Sequence, residues 1–235
     1  MNPVADIRKI CATLETMARL GRIGEFAVAV SRVNDAQSAE LFPSEMASLP
    51  SGNANRLATF RAGRACARSA LARLGRQPAA IPRDVSGAPC WPPGVRGSIS
   101  HTQDIAAAIV VQSSGGTWVG LDVEADDPLD DLDVAGVICR DDELANVPDL
   151  SQLDYGKLLF VVKEATYKSF WPLKQRFLEF QSVRVSIDRT AATFSAEILQ
   201  DADPSAVSSH VVTGRYAQLE GLYVALAYDI APWTR

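Results

Sequence analysis

Three carboxylates stand in otherwise apolar stretches: Asp122 and Glu124 in TWVGLDVE, and Glu164 in KLLFVVKEATYKSFW. Alternate residues of a strand face the same way. Trp118, Gly120, Asp122 and Glu124 therefore share one side, opposite Val119, Leu121 and Val123, with the two acids roughly 7 Å apart. The second stretch predicts a helix ending at Trp171-Pro172, because proline disfavours helix in the residue before it. Glu164, Tyr167 and Lys168 share a helix face by three-and-four spacing, with Lys163 at its border. Two carboxylates converging on a third repel one another unless a cation sits between them. Hard divalent cations take oxygen ligands, and magnesium keeps waters and phosphates in its shell. The chemistry expected is a magnesium site that handles a phosphate. Alone, each fragment is more commonly a solvated charge. It is the conjunction that points to a site.

Basic groups lie upstream. The 54–74 stretch has helical periodicity and carries Arg56, Arg61, Arg64, Arg68 and Arg73. A solvated helix face is the ordinary explanation for any one of them. In a chain of net charge −5, their concentration suggests an anion, most simply a phosphate. His101 follows Ser98 and Ser100 at the end of a short strand, where hydroxyl, imidazole and backbone donors could hold that phosphate.

The elements that must position these groups read as follows. Residues 6–20 form an amphipathic helix stopped by Gly21, and EFAVAVSRV a strand. LFPSEMASLPSGN is a loop with a short helical turn, and 77–97 a Pro/Gly-rich loop. IAAAIVVQ is a strand, joined through SSGG to TWVGLDVE as a hairpin. The aspartate-rich 125–142 segment reads as a solvated loop, without the ligand order of a calcium loop. FQSVRVSI, TFSAEIL, HVVTGRY and LYVALAYD close a sheet.

The chain has 235 residues, 47% apolar and 22% charged, as expected of a globular protein with a sizeable core. Its acidic balance argues against nucleic acid as partner. The cysteines Cys11, Cys66, Cys90 and Cys139 lack metal-ligand spacing and are expected to be reduced, in the cytoplasm. No apolar run is long enough to span a membrane.

GAPCWPPGVRGSISH, VGLDVE and KEATYK, in this order, resemble the three signature blocks of the Sfp/EntD-type 4′-phosphopantetheinyl transferases. FRAGRACARSALARLG resembles the arginine helix of the EntD-like siderophore branch. The resemblance covers about residues 55–185. It implies an α+β fold of two similar subdomains related by a pseudo-twofold, each a small, mostly antiparallel sheet packed with helices. The N-terminal subdomain would span 1–115 and the C-terminal one 116–235, with coenzyme A in the cleft between them. The implied reaction is magnesium-dependent transfer of 4′-phosphopantetheine from coenzyme A to a serine of an apo acyl, aryl or peptidyl carrier protein, releasing adenosine 3′,5′-bisphosphate. By position, Asp122, Glu124 and Glu164 match the metal ligands, and Glu164, Lys168 and Glu124 the catalytic groups. Arg56, Arg64, Arg68, Ser100, His101, Lys163 and Lys168 match the coenzyme A contacts, and Arg83 is the candidate to replace a loop lysine that this chain lacks. A monomer serving siderophore or other nonribosomal peptide or polyketide synthesis is the corresponding expectation. The alternative on the same acids is a magnesium-dependent phosphohydrolase or nuclease. A non-catalytic carrier-binding protein would have no need of three converging carboxylates.

Overall fold

In the computed structural model, residues 5–50, 52–113, 116–145, 151–199 and 210–229 are described. Helix α1 (Ile7–Leu20) starts at Asp6, whose side chain accepts the Arg8 N–H, and buries Ile10, Leu14, Met17 and Ala18 on one face. Strand β1 (Phe26–Arg32) leads through the short helices α2 (Val33–Ala36) and α3 (Pro43–Ala47) to α4 (Ala54–Arg73). Asn53 caps α4 by accepting the Arg56 N–H. Strands β2 (Val95–His101) and β3 (Ile105–Gln112) pair antiparallel and complete a sheet of order β1-β3-β2.

Beyond it come β4 (Trp118–Ala125), α5 (Leu132–Ile138), α6 (Asp141–Leu144) and the long α7 (Gln152–Lys174). Strands β5 (Val183–Asp188), β6 (Thr193–Ile198), β7 (His210–Leu219) and β8 (Leu222–Asp229) follow, as the alternation of the sequence predicts. The second sheet is antiparallel throughout, in the order β4-β8-β7-β6-β5. The fold is α+β, with one long helix on each of two antiparallel sheets, of three and five strands.

Three expectations are corrected. Strands β3 and β4 are not a hairpin: β3 lies between β1 and β2, whereas β4 pairs with β8. The apolar alternation of β4 is satisfied equally well by a partner a hundred residues away, which no local turn signal reveals. Within the SSGG turn itself, residues 114 and 115 lie outside the described residues. The aspartate-rich connector contains α5 and α6, the first capped by Asp131, which accepts the Val134 N–H. Helix α7 also runs through Pro172 to Lys174. A proline so near the helix end removes little of the hydrogen-bond ladder. Gln175 then closes the helix in a left-handed conformation (φ 48°), donating its N–H to the Trp171 carbonyl.

Small residues govern the packing. Ala62, Cys66, Ala67 and Ala70 of α4 lie on Ala106, Ala108 and Val110, and Leu158, Leu159, Val162 and Ala165 of α7 belong to the core of the second sheet. A third cluster joins α1, β1 and β3 to Val119, Leu121 and Val123 of β4 and to β8, so the two sheets share apolar contacts. Where β2 passes β4, side chains connect the strands. Ser98 Oγ accepts the Leu121 N–H at 2.9 Å and Ser100 Oγ accepts the Val123 N–H at 3.2 Å. Gly120 lets α7 come down onto β4: a Cβ there would overlap the Ala165 carbonyl oxygen and lie 2.5 Å from the Ser169 nitrogen.

Candidate active site

Strand β4 and helix α7 bring opposite charges face to face. Asp122 is 2% exposed, and its Oδ1 sits 2.5 Å from Lys168 Nζ and accepts the Ser100 hydroxyl at 2.8 Å. Lys168 Nζ also donates to Ser100 Oγ at 3.2 Å, so that hydroxyl links both strands and the helix. Asp122 Oδ2 is buried with no hydrogen-bond partner. Next along the strand, Glu124 pairs with Lys157 Nζ at 3.5 Å. Glu164 lies between the two lysines in sequence.

The electrostatics agree with this crowding. Glu164 is pushed above the ordinary carboxylate range, first by burial and then by Asp122 and Glu124, with Lys168 opposing. Burial and Asp122 raise Glu124 in the same way, against Lys157 and Lys168. His101 is exposed at a cavity mouth, yet the protein around it and the Lys168 charge hold its pKa below 6.5, with Asp122 opposing. A carboxylate raised in the folded state binds more protons there than when unfolded, so stability falls as pH rises from about 4.5 through the folded value. Glu164→Gln removes that penalty. The ligand-free variant should melt higher than wild type at pH 7 and lose the advantage near pH 4, as differential scanning calorimetry at the two pH values would show.

Among the described residues, no three of His, Cys, Asp and Glu stand close enough to cage an ion alone. The unpartnered Asp122 oxygen beside Glu124 and Glu164 instead fits a cation that draws the rest of its shell from water and phosphate. Oxygen donors without nitrogen or sulfur favour a hard ion such as magnesium.

Two cavities flank the 83–91 loop. One, of about 850 Å³, is lined by Arg56, Arg64, Arg83, His101 and polar groups of α2 and of 102–104. Arg64 is 5% exposed, stacks over Phe60 at 4.2 Å and donates Nε to the Ile81 carbonyl; burial lowers its pKa to about 10, leaving it cationic near neutrality. Arg83 donates its Nε to the Gly87 carbonyl. The other cavity, of about 460 Å³, is lined by Trp91, Arg96, Trp118, Tyr167 and Trp171 together with Glu164 and Lys168. Gly87, Pro89 and Ile99 line both cavities, so they adjoin.

Two residues matched to coenzyme A contacts face elsewhere. Lys163 is buried and turned away from Glu164; its Nζ meets Glu143 Oε2 at 2.8 Å and donates to the Ile138 and Phe180 carbonyls. Adjacent positions on a helix diverge by about 100°, so bordering the active face sufficed to send it into the α6 side. Arg68 is held by the fully buried Glu45, at 2.9 and 3.0 Å, and by the Glu40 carbonyl. Ser100 is enclosed between Asp122 and Lys168. Lys157 escaped sequence reasoning, although it stands seven residues, two helical turns, before Glu164 and hence on the same face. Glu45 and Glu143, buried acids in short helices, carried no signal at all.

A family description, the 4′-phosphopantetheinyl transferase N-terminal domain, matches residues 44–111. The 4′-phosphopantetheinyl transferase Svp of Streptomyces mobaraensis is 34% identical over 206 residues, covering 82% of this chain and 80% of its own. The chain belongs to the 4′-phosphopantetheinyl transferases. Two further family members agree: Npt of Nocardia iowensis, 34% identical over 72% of this chain and 81% of its own, and PptT of Mycobacterium tuberculosis, 32% identical over 77% and 82%. Its activity is accordingly 4′-phosphopantetheinyl transfer. Among the described residues, no helix is long and apolar enough to cross a membrane, and all four cysteines are unpaired.

Proposed function

We propose that this transferase moves the 4′-phosphopantetheine arm of coenzyme A onto a carrier-protein serine with magnesium, in the cleft between residues 1–115 and 116–235. The observation that carries the reading is the adjoining pair of cavities, one arginine-lined and one aromatic, with the carboxylate–lysine seam bordering the second. A nucleotide with a 3′-phosphate suits the first, where Arg56, Arg64, Arg83 and His101 supply cations and donors. The flexible pantetheine, with methyl and methylene groups between its two amides, suits the second, where aromatic rings and polar side chains alternate. The diphosphate joining them would then lie near Lys168.

The serine oxygen bonds to the β-phosphorus as the bond to the bridging oxygen breaks, which leaves adenosine 3′,5′-bisphosphate. Glu164, held above the ordinary carboxylate range by burial and by Asp122 and Glu124, accepts the serine proton. Lys168 neutralises the diphosphate oxygens as charge builds, and Asp122 and Glu124 would hold a divalent cation. When bound, a divalent cation would withdraw charge from the diphosphate. All these groups come from one chain, so a monomer suffices.

Phe177, 70% exposed and edge-on to Tyr167, is proposed as part of the carrier-docking surface with Trp171. Phe170, in the same stretch, is core. The likeness of the arginine helix to the siderophore branch supports a carrier of nonribosomal synthesis, and unpaired thiols suit the cytoplasm. Incubation with coenzyme A, magnesium and apo carriers should add a phosphopantetheine mass to the carrier, and chelation should stop it. Coenzyme A cleavage with an unmodified carrier would instead indicate the hydrolase.

A further inference from the structure

Each acid of β4 has a lysine of α7 against it, although the reaction needs those same acids for a cation. Lys168 Nζ is 2.5 Å from Asp122 Oδ1, and Lys157 Nζ is 3.5 Å from Glu124 Oε2. Both lysine side chains are largely covered, at 28% and 15% exposure, so water screens the pairs only in part. Three carboxylates against two ammonium groups leave a net charge near −1. That is a weak lure for a divalent ion, even though Asp122 Oδ2 remains buried and unpartnered.

We propose that Lys157 and Lys168 are latches: in the ligand-free enzyme they neutralise Glu124 and Asp122, and they leave those acids for the coenzyme A diphosphate as a divalent cation takes their place. This rests on the function proposed above and adds a coupling to it. A cation entering alone must displace two ammonium groups for which Glu164 is the one carboxylate left at the seam. A diphosphate entering alone must draw the lysines from acids that have no other cation to meet. Entering together, the two ligands exchange partners with the lysines, and Asp122, Glu124 and both lysines each keep an opposite charge. Each ligand therefore raises the affinity of the other by the same factor. Lys157 becomes a further residue of the coenzyme A site, reached through Glu124.

The test is isothermal titration of manganese(II) into the carrier-free protein, with and without saturating coenzyme A, for wild type, Lys168→Met and Lys157→Met. Coenzyme A should tighten manganese binding by tenfold or more in wild type. Each Met variant should bind manganese several-fold more tightly than wild type in the absence of coenzyme A, while the enhancement by coenzyme A shrinks. A loss of transferase activity cannot mimic that gain, and circular dichroism melts identify any variant that fails to fold. Lys9→Met, which removes a surface lysine paired with Glu220 and keeps both latches, is the control and should retain the enhancement. If the free Met variants bind manganese no better than wild type, the latch is wrong, even if wild-type transfer stays magnesium-dependent. Should wild type bind no manganese even with coenzyme A, the latch and the proposed metal site fall together.

Discussion

Asp122→Asn should lower phosphopantetheine transfer on the order of 10³-fold, the scale seen when one preorganised electrostatic contact to a transition state is removed. The substitution is nearly isosteric, and the amide oxygen can still accept from Ser100 Oγ. What disappears is the charge: a neutral amide is a poor ligand for a hard cation, and Lys168 loses its counter-ion. Lys168 retains partial access to solvent and its contact with Ser100, so the melting temperature should move by no more than a few degrees. Single-turnover transfer to an apo carrier at saturating coenzyme A, paired with calorimetry, separates the two effects. Full activity in Asp122→Asn would falsify the assignment of the carboxylate.

Arg68→Ala should act on stability before it acts on coenzyme A. Arg68 is bound to both oxygens of Glu45, which also accept the backbone N–H groups of Ile81 and Phe42. Glu45 has no exposed surface, so truncating its cation leaves a buried charge uncompensated, at a cost of about 3–5 kcal/mol. Urea unfolding should report that loss, and Arg68→Met with Glu45→Gln should recover part of it. An unchanged unfolding midpoint with weakened coenzyme A binding would instead return Arg68 to the nucleotide site.

The contrast between Arg64 and Arg68 shows how far the sequence could be read. Both lie on one arginine-rich helix and both suggest an anion. One lines a cavity, while the other answers an acid 23 residues upstream, and their spacing is the same for either purpose. Helix periodicity specifies a face but not what packs against it. Lys163 and Lys157 teach the same point in opposite directions: the first borders the active face yet turns to Glu143, and the second belongs to that face although it lies outside the KEATYK block. The strands were legible because one apolar side per strand is a strong local signal. Their order was not, since β4 and β8 meet only once the intervening chain has folded.

At Gly120 the backbone of β4 touches the backbone of α7, with no side chain between them. The gap between the row of acids and the row of lysines is therefore fixed by peptide groups alone. Sequence drift can repaint the surrounding surface and refit the substrate pockets, but it has no spacer there to lengthen or shorten. A chemistry that depends on opposite charges exchanging partners over a few ångströms is thus insulated from change in most of the molecule.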